Sequence, residues 1–97
     1  MPIYQVTPLA KNTHQVRAVL GKYIVEADRF EMPNETGCFV RFSGTTVELS
    51  NKIEVTGQAP GVPTLVGSTL ITHIVTYYGR AGADMWEWLK IRFESLA

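Results

Sequence analysis

The sequence has few of the features that mark secreted, membrane-spanning or disulfide-stabilised proteins. Cys38 is the only cysteine among the 97 residues. No intramolecular disulfide can therefore form, which excludes a disulfide-stapled secreted mini-domain. No run of roughly 18 apolar residues is present, which excludes a transmembrane helix. Residues 1–8 lack the basic start and the apolar run of a signal peptide. These absences predict a cytoplasmic protein without membrane contact.

The sequence also lacks an excess of charge of either sign. Nine basic residues balance nine acidic residues, so the formal net charge is zero at pH 7. A neutral chain has no general attraction for nucleic acid or for an anionic membrane, and we do not expect a nucleic-acid partner. Zero net charge also removes one barrier to association between copies of the chain.

Motifs for metals, cofactors and catalysis are absent as well. The two histidines and Cys38 are far apart in the sequence, so no zinc-ligand spacing exists. Loop 79–83 lacks the spacing of a phosphate-binding loop or a dinucleotide fingerprint. A pair formed by Cys38 and His73 is a conceivable nucleophile and base, but both fall within predicted strands, where packed core residues are commoner than catalytic groups. We expect no cofactor and no catalytic activity.

The composition is that of a folded domain with one strongly strand-like segment. Hydrophobic residues make up 45% of the chain and charged residues 19%, which predicts one folded domain over residues 1–97. Residues 64–78 are rich in β-branched and aromatic side chains and contain no proline. This pattern predicts a strand. Both of its faces are half apolar, which is typical of a central strand covered on both sides.

Other segments also show strand patterns. Residues 3–7, 23–32 and 38–43 are predicted strands. Residues 46–56 show the clearest alternation, with apolar side chains at odd positions: Val47, Leu49, Ile53 and Val55.

Residues 8–20 admit two interpretations. A helix that begins at Pro8 would place Leu9, Val16 and Leu20 on one face. Asn12 and Thr13 are poor helix formers, however, and residues 15–20 also alternate as a strand does. We favour a loop followed by a strand.

The C-terminal segment predicts an amphipathic helix. Asp84 stands at an N-cap position and Glu87 follows three residues later, as in a capping box. One stripe of the helical wheel is apolar and should lie on the sheet: Met85, Trp86, Leu89, Phe93 and Leu96. The predicted fold is α+β, with five or six mostly antiparallel strands that form a curved sheet or partial barrel and with the C-terminal helix packed on it.

The leading functional hypothesis is a small protein-interaction or assembly module that works as a homodimer. Trp88, Ile91 and Ser95 lie off the main apolar stripe of the helix, on a second flank. A Trp and an Ile on such a flank indicate an interface, most simply between two copies of the helix. The alternative is that a curved sheet or the N-terminal segment covers this flank.

Two other functions remain open at the level of sequence. The first is binding of a small ligand between sheet and helix, in a pocket lined by His73, Tyr78, Arg80 and Trp86. The second is weak nucleic-acid binding through strand aromatics such as Phe30 and Phe39. Acids are interleaved with the bases along the strands, however, and this argues against a positively charged groove.

Overall fold

The computed structural model describes residues 1–33 and 37–94. These residues form four strands and three helices, with a short 3-10 turn (Glu26–Asp28) before the second strand. In order they are β1 (Ile3–Pro8), α1 (Thr13–Tyr23), β2 (Arg29–Glu31), β3 (Cys38–Arg41), α2 (Thr46–Lys52), β4 (Thr69–Ile74) and α3 (Ala83–Glu94).

The four strands form one antiparallel sheet in the order β2-β3-β1-β4. Ile3 pairs with Arg41 on one side and with Ile74 on the other, so β1 is a central strand and β4 is an edge strand. The chain order β-α-β-β-α-β with this strand order is the ferredoxin-like, split βαβ arrangement. The topology carries no information about function by itself.

Both faces of the sheet are covered by helices. On one face, Tyr4 and Val6 pack with buried residues of α1 and α2, including Leu20 and Leu49. On the other face, Ile3 and Phe39 pack with Trp88 and Leu89 of α3. The predicted α+β class, the antiparallel sheet and the C-terminal helix are confirmed. The predicted number of five or six strands is wrong, because the described strands number four; the sheet that they form is not closed.

The prediction of a strand within residues 8–20 is wrong, because α1 begins at Thr13. Thr13, Val16 and Leu20 are its buried residues, at spacings of three and four. Burial of this face outweighs the poor helix propensity of Thr13. Asn12 lies before the first turn and its side-chain amide donates to Val66 O at 2.8 Å and to Ser68 O at 3.0 Å, which ties α1 to the segment that leads into β4.

The strand predicted for residues 46–56 is also wrong, because α2 occupies its first half. Thr45 Oγ1 accepts a hydrogen bond from Glu48 N, and Glu48 Oε1 accepts one from Thr45 N, both at 3.1 Å. This reciprocal pair is a capping box, which starts a helix at the next residue. Leu49 and Ile53 are buried four residues apart, whereas Val47 is 67% exposed.

Two further strands are shorter than predicted. Of residues 23–32, only Arg29–Glu31 form a strand. Of residues 64–78, only Thr69–Ile74 do, and β4 lies at the edge of the sheet instead of its centre. Among the helices of residues 1–33 and 37–94, none is both long and apolar enough to cross a membrane.

Candidate functional site

The helix flank predicted as an interface is largely covered. Trp88 is only 8% exposed, and its ring lies 6.3 Å from that of Phe39 and 6.1 Å from that of Phe30. The guanidinium of Arg92 covers it at 4.8 Å. Trp88 is therefore not available for an interface, and the alternative, in which the sheet covers this flank, holds for Trp88. The physical reason is that aromatic residues of β2 and β3 supply the cover that the helical wheel alone could not show.

The other two interface candidates have different outcomes. Ile91 is 49% exposed and lies on the outer side of α3. Ser95 lies outside the described residues, as does Leu96 of the predicted stripe. Of the three residues predicted to form a homodimer interface, Ile91 is therefore the only one that the structure describes as exposed.

The predicted ligand pocket is not assembled. The ring of His73 lies 5.2 Å from that of Tyr4 at a tilt of 36°, on the face of the sheet that α1 and α2 cover. Trp86 contacts Tyr77 at 5.4 Å on the side of α3. The sheet separates them, while Tyr78 and Arg80 are exposed beyond the end of β4. The pocket fails because His73 and Trp86 lie on opposite faces of the sheet, and because β4 ends at Ile74, before Tyr78 and Arg80.

Two other sequence hypotheses meet the same difficulty of access. Phe30 and Phe39, offered as a surface for stacking bases, pack beneath Trp88. Cys38 is buried, and this burial raises the pKa of its thiol to about 11. A thiol with such a pKa is almost fully protonated at neutral pH, which is the opposite of an activated nucleophile.

The outer side of β4 has no strand partner within the described residues, and we call it the β4 edge. Its six residues, Thr-Leu-Ile-Thr-His-Ile, include no proline, acid, lysine or arginine. Leu70 is half exposed and His73 is exposed. Within the described residues, β4 pairs with β1 alone. Proteins usually protect an edge strand with charges, proline or bulges. The β4 edge has none of these charges and no proline.

The register shows which backbone groups of β4 point outward. Leu9 N–H donates to Ser68 O at 3.0 Å, immediately beyond the Pro8–Thr69 pair. Because hydrogen-bonded and non-hydrogen-bonded pairs alternate along antiparallel strands, the even-numbered residues of β4 direct their backbone groups to β1. The odd-numbered residues Thr69, Ile71 and His73 direct theirs away from the sheet.

A groove of about 480 Å³ runs between α2 and the β4 edge, and we call it the α2–β4 groove. Its apolar surface comes from Val47, Val55 and Ile71, and its polar lining comes from hydroxyl and amide groups. None of its lining residues carries a charge: Thr46, Val47, Ser50, Asn51, Val55, Thr56, Thr69 and Ile71. Every second side chain of an added strand would enter this groove, on the face of the sheet that α1 and α2 cover.

The opposite edge of the sheet has the protection that β4 lacks. β2 is only three residues long, and two of them are charged. Arg29 forms an ion pair with Glu31 at 3.6 Å, and Arg17 of α1 reaches the same carboxylate at 3.7 Å. Short length and charge both disfavour strand addition. The two edges of one sheet are therefore built differently.

Comparison of the chain with protein-family models, with curated proteins and with solved structures finds no match. Function is therefore inferred from surface geometry. The sequence does not point to the groove residues Val47 and Val55, because the alternation of residues 46–56 places them on the apolar side of a strand. The capping box at Thr45 and Glu48 was the signal that would have placed Val47 on a helix.

Proposed function

We propose that this chain is a protein-interaction module that binds an extended strand at the β4 edge. The observation that carries this proposal is an uncharged six-residue edge strand whose outward backbone groups lie beside an apolar groove. Strand addition obtains affinity from main-chain hydrogen bonds and specificity from pockets for alternate side chains. The outward N–H and C=O groups of Thr69, Ile71 and His73 supply the main-chain hydrogen bonds. The α2–β4 groove supplies the pocket for side chains.

The other hypotheses have less support from the surface. Ligand binding between sheet and α3 has lost its pocket, and base stacking has lost access to Phe30 and Phe39. The absence of catalytic activity and the cytoplasmic location stay predictions from the sequence. A strand-binding module needs neither a cofactor nor a titrating group.

A labelled peptide that copies residues 67–75 tests the proposal. The peptide is uncharged apart from its histidine and is already compatible with an extended conformation. Fluorescence anisotropy should show that the full chain binds it. The His73→Pro variant should bind at least about tenfold more weakly, because proline removes an outward N–H donor. That N–H is not used by β1, so proline at this position leaves the β1–β4 pairing intact.

The matched control is His73→Ala, which loses the same imidazole ring but keeps the N–H. It should bind the peptide nearly as well as the wild type does. A peptide of the same composition in scrambled order controls for non-specific apolar binding. The proposal is refuted if the scrambled peptide binds equally well, or if His73→Pro and His73→Ala bind with the same affinity.

A further inference from the structure

We propose that the strand held at the β4 edge is β4 of a second copy of this chain, antiparallel to the first and related to it by a two-fold axis beside Ile71. This inference rests on the proposed function and names its partner. It transfers the homodimer from the helix flank, where Trp88 is buried, to the sheet edge.

The outward backbone groups select the register. With Ile71 opposite the partner's Ile71, Thr69 lies opposite the partner's His73, and His73 lies opposite the partner's Thr69. Each such pair exchanges two hydrogen bonds, so the three pairs form about six in all. A register shifted by two residues in either direction leaves an outward residue of β4 without a partner inside the strand. Only the register centred on Ile71 therefore pairs all three outward residues, Thr69, Ile71 and His73.

The side chains are compatible with this arrangement. On the face that α1 and α2 cover, Ile71 meets the partner's Ile71 beside the α2–β4 groove. On the other face, Leu70 lies opposite the partner's Thr72. Pairs of β-branched residues stabilise antiparallel strands, and no like charges face each other.

The two-fold axis is perpendicular to the sheet, so both copies of α2 lie on the same side of it. Val47, which is 67% exposed on α2, then faces the axis from both copies. The α2–β4 grooves of the two copies then join into one apolar surface between the two α2 helices. Burial of this surface adds a hydrophobic contribution to the hydrogen bonds of the strands.

Charge and symmetry favour a closed dimer over a larger assembly. Each copy has zero net charge, so the two do not repel each other at long range. An interface that uses the same surface on both copies consumes that surface and stops at two. The joined sheet would contain the four strands of each copy and would end on both sides at β2, the short and charged edge.

Two measurements on the full chain test the inference. Sedimentation equilibrium over a range of concentrations should show a monomer–dimer equilibrium for the wild type and for His73→Ala. His73→Pro should dissociate at least about tenfold more readily, because each interface loses a donor from both copies. Circular dichroism verifies that the variant is folded.

The second measurement requires no substitution. Amide hydrogen exchange of the wild type should show that Thr69, Ile71 and His73 gain protection as the dimer forms. Leu70, Thr72 and Ile74 should show the same protection at all concentrations, because β1 already accepts their hydrogen bonds. A period-two pattern of concentration dependence along β4 is the expected result.

The outcomes separate this inference from the proposed function. A wild type that is monomeric at every concentration but binds the labelled peptide refutes the second copy and retains strand capture. A monomer that does not bind the peptide refutes both. A dimer with unchanged exchange along β4, or a mass that rises beyond two copies, refutes the inference, while the peptide assay still decides the proposed function.

Discussion

Trp88 and Ile91 are three residues apart on α3 but lie in different environments. Trp88 is packed against the rings of Phe30 and Phe39, whereas Ile91 is 49% exposed. We expect Trp88→Ala to lower the free energy of unfolding by about 3–5 kcal/mol, because it leaves a large cavity between α3 and the sheet. Ile91→Ala should change it by about 0.5 kcal/mol or less. Urea unfolding at one low protein concentration measures both.

The comparison of these two variants tests the packing of α3 directly. If the flank of α3 were an open surface, both substitutions would be mild. Equal effects would therefore contradict the burial of Trp88 by the sheet.

Cys38 provides a residue-scale prediction about pH. Burial, and secondarily the nearby carboxylate of Glu31, raise the pKa of its thiol from 9.0 to about 11. The folded state thus holds its proton more tightly than the unfolded state does. The resulting stability is fully present below about pH 9 and is lost as the pH rises through about 11. We expect the stability advantage of the wild type over Cys38→Ala to be smaller at pH 10.5 than at pH 7.

The measurement is the difference in urea-unfolding free energy between the two proteins at each pH. Other alkaline groups titrate in both proteins, so their contributions cancel in the difference. A difference that does not change with pH would show that the Cys38 thiol ionises equally well in the folded and unfolded chains.

At the scale of elements, α2 depends on the cap that Thr45 and Glu48 make. Thr45→Ala removes the oxygen that accepts from Glu48 N. We expect a loss of about 1 kcal/mol in the free energy of unfolding, because a backbone donor in the first turn loses its partner. Thr45→Ser keeps the hydroxyl and should stay close to the wild type. Equal stability of the two variants in thermal or urea unfolding would contradict the cap.

The sequence predicts an element well where the spacing of its apolar residues and the residue types at its ends indicate the same structure. For α3, an apolar stripe and acidic residues near its start pointed to a helix, although the helix begins at Ala83, so Asp84 lies in its first turn. β1 and β3 were predicted within one or two residues of their ends. The region of α2 was misassigned because its apolar residues fit both periods. Leu49 and Ile53 are four apart, which suits a helix, and both are odd-numbered, which also suits an alternating strand.

The candidate site was the part least accessible to sequence. Residues 64–78 were recognised as strand-like, but whether a strand is central or at an edge depends on the order of strands in the sheet. That order is set by pairings such as Ile3 with Ile74, which are remote in sequence. The apolar faces of residues 64–78 predicted burial, yet Leu70 of β4 and Val75 just beyond it are exposed. An uncharged strand at an edge is the local pattern that conflicts with its position, and such conflicts are expected at functional surfaces.

At the scale of the whole molecule, helices pack on both faces of the sheet, while half of the residues of β4 stay exposed. α1 and α2 cover one side and α3 covers the other. The two edges of the sheet differ, because β2 is short and charged and β4 is not. The molecule is thus asymmetric at its two edges, and in the proposed function only the β4 edge takes part in association.

The central position of β1 also has a consequence for synthesis. β1 emerges from the ribosome before β4, its partner on one side, and about 60 residues separate Pro8 from Thr69. At roughly 5–20 residues per second, that partner arrives about 3–12 s later. During this interval the side of β1 that pairs with β4 in the folded chain has no partner from its own chain, and it is complementary to β4 of another copy that has not yet paired. Chains translated together on one messenger would thus meet a competing strand before their own is complete.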